Sequence, residues 1–165
     1  MLPFLSSRFF IPVKFFIIFL AIVHFGVFCM EDETVVKSPM SREHRLFLAV
    51  EKGNLELVKE LLAEGISINA KDSLGNSPLI KAADEEDLDM AKFLIEKGAN
   101  VNLRNTTGET ALYRAVYRGN LDLVKLLVKA GAETKVKTVG GVSLSELADE
   151  RGEEGILQYL SSLKK

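Results

Sequence analysis

Residues 72–101, DSLGNSPLIKAADEEDLDMAKFLIEKGANV, nearly overlay their neighbours when shifted by thirty-three positions. Gly75 becomes Gly108 and then Gly141, and Leu88 follows Leu55 and precedes Leu121. Gly65, Gly98 and Gly131 keep the same beat. Self-similarity at a period of about 20–50 residues marks a solenoid, whose units bury their apolar faces only against one another.

Inside the stretch, each residue type has a local reason. Asp72-Ser73-Leu74-Gly75 has turn chemistry, because Asp bonds its own backbone and Gly takes positive φ freely. Ser77 can accept from the orphan N–H groups of a following helix, and Pro78 stands where a first-turn proline costs nothing. Ala82 and Ala83 are small enough for closely packed helices, while Leu88, Met90, Ala91, Leu94 and Ile95 supply a second helix that stops at Gly98.

The preceding residues 44–65, HRLFLAVEKGNLELVKELLAEG, repeat the pattern with apolar positions 46, 49 and 50 and then 55, 57, 58, 61 and 62. Helices this short are marginal alone in water and must stack. Downstream, Asn105-Thr106-Thr107-Gly108, Thr110-Ala111-Leu112, Ala115, Gly119-Asn120-Leu121, Leu126-Leu127 and Gly131-Ala132 recur in register. Residues 138–165 are the least regular, keeping Gly141, Leu144, Leu147, Ala148, Gly152, Ile156, Leu157 and Leu160 under a polar exterior of Glu146, Glu150, Glu153, Glu154, Gln158, Lys164 and Lys165. A polar outer face is what the end unit of a solenoid requires.

Carried by these recurring elements, residues 42–165 resemble the ankyrin repeat family. The resemblance implies an all-α solenoid of stacked helix-turn-helix repeats with short hairpin-like turns, in units of about 42–71, 72–104, 105–137 and 138–165. Two departures from the family pattern stand out. The histidine that ties neighbouring turns is Ile80 in one unit and Tyr113 in the next, which implies a looser or more apolar turn network. Glu86 replaces the interhelix glycine kept as Gly53 and Gly119; a left-handed backbone there costs a non-glycine roughly 1 kcal/mol.

Residues 1–29 are a different kind of sequence. Arg8 and Lys14 lead into FFIIFLAIVHFGVFCM, residues 15–30, which end at the acidic Glu31-Asp32-Glu33. A basic start and an apolar core predict a signal peptide or a membrane anchor. As a helix the run covers roughly 24 Å at about 1.5 Å per residue, short of the ~30 Å hydrocarbon core, although Phe9 to Val13 could extend it. Charge placement puts the body on the non-cytoplasmic side, exported as a periplasmic, secreted or outward-facing anchored protein, with membrane contact through residues 9–30 if uncleaved. No Ala-x-Ala cleavage site occurs, and Val27-Phe28-Cys29 is the best small-residue option. If Met30 is the true start, the protein is cytosolic. Residues 30–41, with Ser38 and Pro39, predict a linker.

Composition narrows the function. From Met30 onward, 19 basic residues (21 less Arg8 and Lys14) face all 23 acidic ones, and a net −4 body does not track a phosphate backbone, so no nucleic acid is expected. Past Cys29 the body has no cysteine and one histidine, His44, which removes a Cys–His pair and an ordinary zinc site. No phosphate-cradling GxxxxGK[ST] occurs. The run Asp84-Glu85-Glu86-Asp87 with Asp89 lacks the alternating spacing and glycine of a calcium loop and predicts a solvated helix connection. No catalytic residue, cofactor or metal is therefore expected.

What the resemblance implies instead is a monomer binding another protein in a concave groove. Position by position, the turn tips are Ser73, Leu74 and Asn76, then Thr106, Thr107 and Glu109, then Val139. The helix positions are Lys81, Asp84 and Glu85, with Arg114, Tyr117 and Arg118 one repeat later. Leu74 and Tyr117 are the anchor candidates, since apolar and aromatic groups dominate hot spots. The alternative is an inhibitor or immunity-type regulator of a partner enzyme, which needs no site of its own. A small-molecule carrier fits less well, because solenoids offer open grooves.

Overall fold

The computed structural model describes residues 41–163, and among them the chain forms eight helices and no strand. They are α1 (Arg42–Glu51), α2 (Leu55–Ala63), α3 (Pro78–Asp84), α4 (Leu88–Glu96), α5 (Ala111–Arg118), α6 (Leu121–Lys129), α7 (Leu144–Glu150) and α8 (Glu154–Ser162). Each odd helix turns back within a few residues into its even partner, so the array is four stacked helix pairs. The predicted signal peptide or anchor at 1–29 lies outside the described residues, as does the linker up to Met40. Within the described residues no helix is long and apolar enough to cross a membrane.

The caps explain why helices this short hold their boundaries. Ser77, Thr110 and Ser143 accept backbone N–H groups of Ile80, Tyr113 and Glu146, and Glu146 returns the bond to the Ser143 N–H at 2.7 Å. Asn54, Asp87 and Asn120 do the same for α2, α4 and α6. At the C-termini of α2, α4 and α6, Gly65, Gly98 and Gly131 adopt φ of +89°, +90° and +91° and send the chain out of the helix through a paired backbone closure. Glu86, at φ +59°, is the one non-glycine in the left-handed region among the described residues. The backbone predicted from the register is therefore present, and its strain with it.

Packing across pairs is uneven. Neighbouring odd helices pack more closely on each other than neighbouring even helices do. The stack therefore curves with α1, α3, α5 and α7 on its concave side. Ala82, Ala83 and Ala115 are fully buried in the close odd-helix contacts, and Leu46, Leu61, Leu79, Leu94, Leu112, Leu123 and Leu127 run through a continuous core. Leu88, expected to support the second helix, instead stays 39% exposed at the first turn of α4. The core reaches Ile156 and Leu160 of α8, so the last and least regular pair is packed like the others.

Candidate functional site

Three hairpin turns project from the N-terminal ends of α3, α5 and α7. Asp72 builds the first, its Oδ1 accepting from the Leu74 and Asn76 N–H groups at 2.8 Å each. Asn105 builds the second by the same pattern toward Thr107 and Glu109, at 3.1 and 2.9 Å. Thr138 has no such side chain, and the third is closed by main chain, Thr138 N–H to the Val142 carbonyl at 3.1 Å. Main-chain bonds then join neighbours: Thr106 N–H donates to the Leu74 carbonyl and Val139 N–H to the Thr107 carbonyl, both at 3.0 Å.

Of the two outcomes the missing histidines implied, a looser or a more apolar turn network, the structure shows the second. Ile80 is buried and Tyr113 half-buried, so the histidine positions have become apolar or aromatic. The tie passes to other atoms: Asn105 Nδ2 donates to Asn76 Oδ1 at 2.9 Å, and Thr106 Oγ1 to the Leu74 carbonyl at 2.8 Å. Asn76, expected as a tip contact, is thereby engaged within the protein.

Below the tips, the concave face carries a charge network spanning three pairs. Arg114 binds Glu109 at 2.7 Å and Asp84 at 3.3 Å, and Arg118 reaches the same Asp84 at 3.1 Å. Lys81 sits between Glu51 at 3.3 Å and Glu85 at 3.1 Å. Burial opposes the Lys81 charge, but the hydrogen bonds it donates to Glu85 and Glu51, with the attraction of those carboxylates, outweigh it and hold the ammonium's pKa above its ordinary value. Desolvation, with Glu109 nearby, pushes the Tyr113 phenol up. Asp84 is thus clamped by two arginines and Asp87 caps α4, which gives the acidic run a structural role.

The predicted contact residues divide into two groups. Asn76, Lys81, Asp84, Glu85, Glu109, Arg114 and Arg118 form the internally paired floor. Ser73, Leu74, Thr106, Thr107 and Val139 stand exposed at the tips, with Val139 80% and Leu74 62% accessible. Tyr117, 39% accessible, lies on α5, and its ring stacks under the Arg151 guanidinium at 4.2 Å from the centroid. Two participants went unpredicted, Glu51 and Arg151. The period could have found both, since they stand one repeat before Asp84 and one repeat after Arg118.

The face therefore offers apolar tips and one aromatic ring over a floor whose charges already satisfy one another, an arrangement that can hold a complementary surface. Comparison with protein-family models matches residues 46–138, more than half of the chain, to ankyrin repeats in three copies. The α7–α8 pair lies beyond the matched residues. No curated protein matches the chain. Ankyrin repeats act through protein–protein interaction, and this chain, with its 33-residue period, stacked helix pairs and hairpin tips, belongs to the ankyrin repeat family.

Proposed function

We propose that the protein binds another protein across its concave face and performs no chemistry of its own. The carrying observation is the placement of exposed apolar groups: Leu74 and Val139 on the hairpin tips and Tyr117 on α5, all on one side of a curved array. Large apolar groups left in water at a rigid, charge-satisfied surface favour a partner that covers them. Ser73 adds an exposed hydroxyl beside these anchors, and the Thr106 and Thr107 hydroxyls, whose protons are given to the Leu74 carbonyl and Asn105 Oδ1, add acceptor oxygens. Export or membrane tethering through residues 1–29 places that partner on the outer side of a membrane.

The test uses the full chain and whichever protein co-purifies with it after crosslinking in its own host. Replacing Leu74 with Asp, Tyr117 with Ala and Val139 with Asp together should weaken binding at least about a hundredfold, since these changes remove the central anchors and touch no core residue. Unchanged affinity overturns the concave assignment. Intact mass after fractionation tests export: loss of about 29 residues from a soluble exported form, or full length in the membrane, supports it, whereas full length in the cytosol contradicts it.

A further inference from the structure

The repeats supply an internal control for a second surface, on the convex side. α2 and α4 pack less closely than α4 and α6 or α6 and α8 do. Between them lies an open depression of about 600 Å³, floored by Leu62, Ile66, Ile68 and Phe93 and walled by Lys59 and Lys97. One repeat later the Phe93 position is Leu126 and the Lys97 position is Ala130. The ring and the second cation are therefore particular to this junction and not a by-product of stacking.

The electrostatics of the depression are specific. The Lys59 and Lys97 ammonium groups lie 5.9 and 5.8 Å from the centroid of the half-buried Phe93 ring. An ammonium over an aromatic face is attracted by the ring quadrupole and keeps N–H donors for a further acceptor. Lys59 also holds Glu56 at 2.7 Å, whereas among the described residues Lys97 has no carboxylate within ion-pair distance. Both charged groups lining the depression are cations, and its floor is apolar.

We propose that this depression is a second docking site, for a protein segment carrying two apolar side chains beside a carboxylate. The apolar pair covers Leu62, Ile66, Ile68 and Phe93, and the carboxylate draws Lys97 off the ring, with Lys59 as the second cation. A segment is favoured over an anionic bilayer because Glu56, Glu60 and Glu96 stand exposed on the same two helices, with Glu64 at the C-terminal cap of α2. A flat anionic surface would meet those carboxylates, while a short segment meets the lysine walls. The site uses α2, α4 and the loop that follows α2, and does not depend on the concave reading.

The experiment is fluorescence anisotropy on the full chain with a labelled short peptide of two leucines flanked by glutamates. The proposal expects saturable binding that weakens with salt. It also expects a loss of about tenfold or more both in the Lys59→Glu, Lys97→Glu double variant and in Phe93→Leu, which places the next repeat's residue in the floor. Circular dichroism confirms that each variant remains folded. The Leu74→Asp, Tyr117→Ala, Val139→Asp variant should bind the peptide normally, which separates the two faces. Equal binding by the double reversal, equal binding of a lysine-flanked peptide, or binding only to vesicles of anionic lipid would each overturn the assignment.

Discussion

The Glu86 N–H reaches the Ala83 carbonyl over 3.4 Å, whereas Gly53, Gly119 and Gly152 close the equivalent bond at 3.0, 3.1 and 3.0 Å. The repeat register imposes the left-handed backbone, φ +59°, on a residue whose Cβ opposes it, and the stretched bond accompanies that strain. Glu86→Gly should stabilise the protein by about 1 kcal/mol and raise its melting temperature by about 3–6 °C. Calorimetry checks this, and an unchanged or lower midpoint would contradict the strain.

Two other glycines separate backbone strain from crowding. Gly98 has φ +90° and nothing within 4 Å of an added Cβ, while Gly108 has φ +80° and would press its Cβ to 3.0 Å from the Val139 nitrogen. Gly98→Ala should cost about 1 kcal/mol from the backbone alone. Gly108→Ala should cost more, about 2–3 kcal/mol, because it also disturbs the bond from Val139 to the Thr107 carbonyl. Urea denaturation of the two variants in parallel would reveal the difference, and equal losses would contradict the crowding.

Arg114 is a joint between repeats. Its guanidinium is 28% exposed and pairs with Glu109, 16% exposed, and Asp84, 23% exposed. Arg114→Ala leaves two half-buried carboxylates with less compensation and should cost about 1–3 kcal/mol. A double-mutant cycle with Glu109→Ala should return a coupling of about 1 kcal/mol, well above that of an exposed pair.

Stability should fall at high pH. The folded state holds the Lys81 and Tyr113 protons above their ordinary pKa values of 10.5 and 10.0. The unfolded chain releases these protons first, so their contribution is intact below pH 10.0 and is lost as pH rises through the folded values. Tyr113→Phe should flatten the alkaline decline, read from denaturation midpoints between neutral and strongly basic buffers.

At the acid end, the Ser143 N–H, and secondarily its hydroxyl, hold the Glu146 carboxyl below its ordinary value of 4.5. That contribution is present above 4.5 and is lost as pH falls through the lower folded value. Ser143→Ala keeps the main-chain donor, so a carboxyl-carbon NMR titration should show the depression reduced but retained.

What was legible in the sequence is what the period controls. Ser77, Thr110 and Ser143 cap helices because each stands at the same phase, and Glu86 could be assigned its left-handed backbone from the glycines one repeat away. Side-chain partnerships were harder to see. Arg114 could have reached solvent, and its capture by Glu109 and Asp84 depends on two rotamers and the spacing of α3 and α5. Asn105 taking over the tie between turns was hidden for the same reason, since the family pattern draws attention to Ile80 and Tyr113. The depression beside Phe93 depends on helix spacing, which no local pattern encodes.

The joined hairpins have a mechanical consequence. Hairpins two and three are each latched to the preceding one by a main-chain bond, from Thr106 to Leu74 and from Val139 to Thr107. Among the described residues, which begin at the Ser41 cap of α1, no main-chain bond of this kind joins the first two pairs. They are held by helix packing, the Lys81–Glu51 pair and the bond from Asn100 N–H to Asn69. Under tension along the stack, the two latched junctions should behave as locked links that part only when the bond from Thr106 to Leu74 or from Val139 to Thr107 breaks with them.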